Sequence, residues 1–283
     1  MHLLSRVVSV GVLVLFPVAG VAAQEMVSLL RQDQKSVRVT AYSPRSAGCR
    51  GVAIISPGAG GSETGYQYLG DAMSSLGYVA VVVGHQESGR VAVRRRVRGA
   101  GLQEGLSELI TDPSAYRGRF MDIAAAMTWA ASRCPSAESI LIGHSMGAAT
   151  TMMEAGARNQ LGLTGTDSFS AYIAVSPQGV GPIFPPNAWA DIKRPVLSLT
   201  GTRDTELGGA SWKSRTEPNL NMPAGCKWLG VIDGATHMNF AGNGRSRRTE
   251  ALTIQVIRSF LDGLHRGDCR PPQRSRGLEI QSK

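Results

Sequence analysis

The run Ile140-Leu141-Ile142-Gly143-His144-Ser145-Met146-Gly147-Ala148-Ala149 sets the tightest limit on how this chain can fold. A short apolar stretch, the pattern of a buried strand, meets a G-x-S-x-G pentapeptide, and a small-residue segment compatible with a helix follows at once. Strand, sharp turn and helix in that order lift the Ser145 hydroxyl clear of a sheet edge. Gly143 and Gly147, lacking side chains, let the strand and helix approach closely. The Met146 N–H, first in the helix, then points at any oxyanion formed on a carbonyl that Ser145 attacks. The plain alternative to this nucleophile elbow is an ordinary glycine turn.

The remaining chain must supply a sheet around that strand. With 283 residues, 42% hydrophobic and 18% charged, it can bury one sizeable core in a single α/β domain. Residues 1–23 stand apart: Arg6, a Val/Leu-rich run from Val7 to Val18, then Val21-Ala22-Ala23 form the pattern of a cleaved secretory signal. The apolar run is short for a membrane span of about 20 residues. No cysteine follows it, so neither a stable membrane anchor nor a lipid anchor is expected. The domain is expected over 24–268, and 269–283, opening near Arg270-Pro271-Pro272, reads as a polar, disordered tail. Export places Cys49, Cys134, Cys226 and Cys269 in an oxidising compartment, where an even count suggests two bridges. Three pairings are open, and none of the spacings resembles a metal site. The formal net charge of +9 is concentrated in Arg90–Arg98 and the tail. No nucleic-acid motif or aromatic platform accompanies these arginines, so a solvated loop is expected and no nucleic-acid partner.

Apolar strand patterns recur along the chain. Val37–Tyr42 alternates, whereas Gly51–Pro57, Val79–Val83, Ala171–Val175, Pro195–Thr200 and Lys227–Ile232 read as strands. Helical segments lie at about Tyr66–Leu76, Arg119–Arg133 and Thr249–His265, and Gln86–Ser114 is a long, mostly polar connection with some helical character. Such alternation predicts a mostly parallel sheet covered by helices on both faces. The polar loops after Pro57, Thr200 and Ile232 then share the carboxyl edge of the sheet with Ser145.

A serine hydroxyl needs a base to take its proton and a third group to hold that base. The order serine, acid, histidine found at nucleophile elbows points to Ser145, Asp204 and His237. His85, which precedes the elbow, is the competing base. His144 adjoins the serine and is expected to point away. Glu206 and Asp233 are the alternative acids, and an aspartate in such a loop is otherwise a turn former. Gly58-Ala59-Gly60-Gly61 is not a dinucleotide loop, because Glu63 stands where a third glycine is needed. It fits an oxyanion loop better, with the Ala59 N–H pairing with that of Met146.

The elbow, Ser56-Pro57-Gly58-Ala59-Gly60-Gly61, Arg119-x-x-Asp122, Thr200-Gly201-Thr202-Arg203-Asp204 and Gly234-Ala235-Thr236-His237 together resemble the α/β-hydrolase superfamily. Within it the chain is similar to the dienelactone-hydrolase-like group, which includes relatives of platelet-activating-factor acetylhydrolase. The resemblance covers about Val37 to Leu264. It implies an α/β-hydrolase fold with a mostly parallel central sheet of about eight strands, helices on both faces and no large cap domain. It also implies the pairings Cys49–Cys134 and Cys226–Cys269, which lie at the amino-terminal edge of such a sheet. Two departures are Pro57-Gly58 where relatives carry His-Gly, and serine where dienelactone hydrolases proper use cysteine. The latter turns the expectation toward ordinary esters: a serine esterase acting on a small-molecule or lipid-like ester, with no metal or organic cofactor. Gly60, Tyr66, Gln178, Trp189 and Trp212 are candidate substrate contacts. An amidase or peptidase with the same triad, or a non-catalytic binding protein on this fold, are the other readings.

Overall fold

The computed structural model describes residues 24–46, 48–135, 138–242, 246–272 and 275–283. The signal segment 1–23 lies outside the described residues. Among the described residues, nine strands form one sheet: β1 (Gln24–Leu30), β2 (Ser36–Tyr42), β3 (Gly51–Ser56), β4 (Tyr78–Gly84), β5 (Ser139–His144), β6 (Ala171–Val175), β7 (Val196–Arg203), β8 (Lys227–Thr236) and β9 (Leu278–Ser282). Their order is β1-β2-β4-β3-β5-β6-β7-β8-β9. The six strands from β4 to β8 in that order run parallel, and β1, β2 and β9 are antiparallel at the edges. Continuous apolar sequence explains the central position of β3 and β5, which are buried at every residue.

Helices cover both faces, as expected. Side chains of alternate parity on β3, β4 and β5 divide the core. Val52, Ile54, Val81 and Leu141 pack with α4 (Pro113–Ala131) and α5 (Met146–Glu154). Ile55, Val82, Ile140 and Ile142 pack with α1 (Gln67–Ser75) and α7 (Arg247–Arg266). The fourth helix starts earlier than its apolar periodicity suggests. Asp112 accepts a hydrogen bond from the Ser114 N–H at 2.8 Å, and Pro113 occupies the first turn, where its missing N–H costs nothing. The long, mostly polar connection holds two helices, α3 (Leu102–Ile110), where helical character is expected, and α2 (Arg90–Ala100), where it is not, and they pack on each other. A short α6 (Glu217–Asn221) precedes β8.

The tail departs from the expected disorder. Leu278–Ser282 adds as β9 along the open edge of β8, from Trp228↔Ser282 to Ile232↔Leu278. An unpaired edge strand offers a row of free N–H and C=O groups, and this segment satisfies them while burying Leu278. The alternation Leu278-x-Ile280 is the only sequence trace of it. This ninth strand is also the difference from the expected count of about eight.

Both expected bridges form, with Cα atoms 5.7 Å apart at Cys49–Cys134 and 5.2 Å apart at Cys226–Cys269. The first closes a loop of 85 residues. Chain-entropy arguments value such a closure at about 4 kcal/mol. Cys49→Ala with Cys134→Ala is expected to lose about that much stability, read from chemical denaturation midpoints; no change would deny the bridge any stabilising role.

Candidate active site

The turn after β5 carries Ser145 at φ 55°, ψ −119°, a backbone state that non-glycine residues rarely hold. Tight neighbours enforce it. A Cβ on Gly143 would collide with the Gly147 carbonyl, and one on Gly147 with the Ser56 carbonyl. Gly58 also lies close: a Cβ there would sit 3.1 Å from the Ser145 Cβ, a tight contact. Glycine at these three positions therefore lets strand, helix and the loop after β3 converge on one hydroxyl.

His237 enters from the turn that follows β8. Its Nε2 lies 2.9 Å from the Ser145 Oγ, and its Nδ1 lies 2.9 Å from the Asp204 Oδ1. The turn is fixed by a reciprocal cap in which the Thr236 N–H donates to the Asn239 Oδ1 at 2.9 Å. Asp204 is fully buried beyond the register shift at Gly201/Arg203 of β7. Its second oxygen accepts from the Ser176 Oγ at 2.6 Å and from the Thr200 Oγ1 at 2.9 Å. Burial alone would raise this carboxyl. The His237 hydrogen bond, the Arg215 charge and the Ser176 hydroxyl together hold it below the usual carboxylate range.

Arg215 is the residue that sequence reasoning missed. It is buried, its Nε is 2.9 Å from the Asp204 Oδ1, and it donates to the carbonyls of Ser176, Pro177, Asp204 and Thr205. An arginine in a polar connection looks like a solvated charge, and nothing in its sequence neighbourhood marks it otherwise.

The other candidates have different partners. Asp233 accepts from the Thr202 Oγ1, and Glu206 accepts from the Gly179 N–H and the Ser214 Oγ. His85 is buried beneath the loop after β3, between the Ser56 Oγ and the Asp122 Oδ2, each at 2.9 Å. That makes a second Ser–His–Asp line, but its serine is fully buried. Arg119 donates there to the Pro57 carbonyl at 2.8 Å and to the Ser56 Oγ at 3.2 Å, while Arg31 donates to Asp122 at 3.0 Å. The Arg119-x-x-Asp122 motif thus braces the loop from below.

Burial pushes the Asp122 carboxyl up to about 7 in spite of Arg31. A folded-state value above the unfolded one means that the folded state holds the extra proton, so this group's contribution to stability is full below about 4 and lost as pH rises through about 7. The difference in melting temperature between native chain and Asp122→Asn is therefore expected to shift against the native chain between pH 4 and 8; a pH-independent difference would contradict this.

His144 does not point away. Its Nδ1 lies 2.7 Å from the Tyr66 hydroxyl, and its Nε2 lies 3.2 Å from the His237 carbonyl. The Tyr66 hydroxyl in turn accepts from the Gly58 N–H at 3.1 Å. Burial, then the neighbouring His237, hold His144 well below the ordinary histidine range, so it is neutral and donates from Nε2 to the carbonyl. One continuous line of hydrogen bonds thereby ties the loop after β3 to the backbone of His237.

A cleft of about 210 Å³ opens over Ser145 and His237, lined also by Gly58, Ala59, Gly60 and Tyr66. Among the described residues, the Ala59 and Met146 N–H groups carry no hydrogen bond. Of the expected substrate contacts, Gly60 and Tyr66 line this cleft, whereas Gln178, Trp189 and Trp212 do not. Trp189 is fully buried against Phe184, with ring centroids 5.3 Å apart, because its loop folds onto the core. Trp212 opens the turn that carries Arg215, and Gln178 is half-buried after β6. No group of three or more metal-ligating side chains occurs among the described residues, and no described helix is long and apolar enough to cross a membrane.

The chain is 25% identical over 223 residues to cutinase est2 of Thermobifida alba, a match covering 79% of this chain and 64% of that protein. It is 24% identical to cutinase 2 of Thermobifida cellulosilytica, covering 73% of that protein. The chain thus spans about 64% of the length of the first of these relatives. A solved structure of a protein assigned as a dienelactone hydrolase from Klebsiella pneumoniae superposes with a TM-score of 0.62 at 15% identity, covering 86% of this chain and 99% of that one. No family model matches the chain.

Proposed function

We propose that this chain, which has the α/β-hydrolase fold, is an exported serine hydrolase that cleaves carboxylic esters through an acyl-enzyme on Ser145. The observation that carries the reading is the unbroken line Ser145–His237–Asp204, with both contacts at 2.9 Å. His237 Nε2 takes the hydroxyl proton as the Ser145 Oγ bonds to the ester carbon, and the carbonyl electron pair moves onto oxygen. The free N–H groups of Ala59 and Met146 receive that oxyanion, a contribution of about 3 kcal/mol per donor. The intermediate collapses, the ester C–O bond breaks, and the departing alkoxide takes the proton from Nε2. Water repeats the sequence on the acyl-enzyme, so the carboxylic acid leaves and Ser145 regains its proton. Asp204 holds the Nδ1–H tautomer throughout, and the His237 hydrogen bond together with the Arg215 charge keeps Asp204 ionised.

The likeness to proteins named cutinases supports an ester as the substrate. Export is supported by the leader-like sequence of residues 1–23 and by two disulfides. Hydrolysis of p-nitrophenyl acetate, butyrate and palmitate beside the matching anilides tests the reading. Ester cleavage with little anilide cleavage is expected. Anilide cleavage equal to or faster than ester cleavage would transfer the proposal to amide hydrolysis.

A further inference from the structure

We propose that the cleft continues into a basic track along one face of α2, and that this track binds an extended polyanion whose O-acyl groups are the esters cleaved. The proposal rests on the esterase reading of Ser145. Arg90 lines the Ser145 cleft and also an adjoining groove of about 740 Å³, with Gly61, Ser62 and Thr64 forming the shared wall. The groove passes Arg94 and Arg95, and these same residues lead on to Arg98. Arg90, Arg94 and Arg98 recur every four residues, which places them on one helix face over about 12 Å of axis.

These arginines have no structural task that explains them. Arg90, Arg94, Arg95 and Arg98 are exposed, and none forms an ion pair among the described residues. Arg96, by contrast, pairs with Asp112 at 2.5 Å and Glu108 at 3.7 Å. Like charges four residues apart destabilise a helix by a few tenths of a kcal/mol each, on the order of the gain from an opposite pair. The helix buries none of its residues fully, and its packing is on α3 and through Val93 rather than through these arginines. Glu63 is the carboxylate lining the groove, and it is already held by Arg38 at 3.4 Å. The track is also fastened to the reactive end. The Gly60 N–H donates to the Ser88 carbonyl at 2.8 Å, and the Val93 side chain lies 3.5 Å from where a Gly60 Cβ would stand.

A single carboxylate would occupy one guanidinium. A stripe over two turns instead matches charges repeated along a chain, as in an acylated polyuronate. Among the described residues, no Trp, Tyr or Phe ring lines the groove or the arginine stripe, so the track lacks the stacking surface of a single-stranded nucleic-acid groove. Val91 is the large apolar side chain that α2 exposes, too little to seat the helix in a lipid surface.

The test measures acetate release from O-acetylated polygalacturonate and from the same polymer with its carboxylates converted to neutral amides. At low salt kcat/KM is expected to favour the anionic polymer by about tenfold or more, because a charged track raises the local concentration of its ligand. The ratio should fall toward one in 1 M salt, where the Debye length is about 3 Å. It should fall likewise in Arg94→Gln with Arg98→Gln, two exposed positions whose folding is checked by melting temperature. A ratio near one at low salt, or one insensitive to the double substitution, overturns the track and leaves the esterase reading standing. So does cleavage of p-nitrophenyl acetate with no cleavage of either polymer, or acceleration by anionic phosphatidylglycerol vesicles with none by the polymer charge. Failure to cleave every ester, p-nitrophenyl acetate included, overturns the esterase reading and the proposal with it.

Discussion

Ser145→Ala is expected to lower kcat for p-nitrophenyl esters by about a millionfold, the scale seen when the nucleophile of such a triad is removed. Two features make the loss this large. The Ser145 Oγ is the hydroxyl that reaches His237 Nε2, and the competing line through Ser56 and His85 is sealed beneath the loop after β3. A residual rate above water remains, because the Ala59 and Met146 N–H groups still favour the oxyanion. The substitution removes one half-buried oxygen and relaxes a strained φ only partly, so the melting temperature should move little. A variant that retains even a hundredth of native activity would contradict the account.

Asp204→Asn is expected to cost about ten-thousandfold in kcat. An amide at this position turns a donor toward His237 Nδ1 and so favours the tautomer with its proton on Nε2, facing the Ser145 hydroxyl that must be deprotonated. The buried Arg215 loses its carboxylate but keeps four carbonyl acceptors, at Ser176, Pro177, Asp204 and Thr205. The fold therefore survives and the loss is read as chemistry. Parallel measurement of kcat and the melting temperature checks both halves; a loss below tenfold would mean that another acid, Asp233 or Glu206, orients the histidine.

The sheet was legible because its parallel strands must be continuously apolar when buried on both faces. Val52–Ile55, Val79–Val83 and Ile140–Ile142 announce themselves in that way. The loops carrying Asp204 and His237 were legible from chain order around a glycine-framed turn. What escaped notice depends on partners distant in sequence. Arg215 reads as surface charge until Ser176 and Thr205 carbonyls surround it. His144 and Tyr66 lie 78 residues apart, and their bond exists only after the loop and elbow converge. Trp189, a candidate substrate contact from the sequence alone, packs inward against Phe184, a partner that only the folded loop supplies. The tail looked disordered because Leu278 and Ile280 are too few to signal a strand without the open edge of β8 beside them.

The central claim is a covalent ester intermediate on Ser145. Rapid acid quench of the native chain mixed with p-nitrophenyl butyrate, followed by intact-mass and peptide analysis, tests it most directly. The account predicts a population heavier by one butyryl group, with the added mass on the peptide containing Ser145, and none in Ser145→Ala. Turnover without any trapped acyl group on that peptide, or an adduct that persists unchanged in Ser145→Ala, would contradict it.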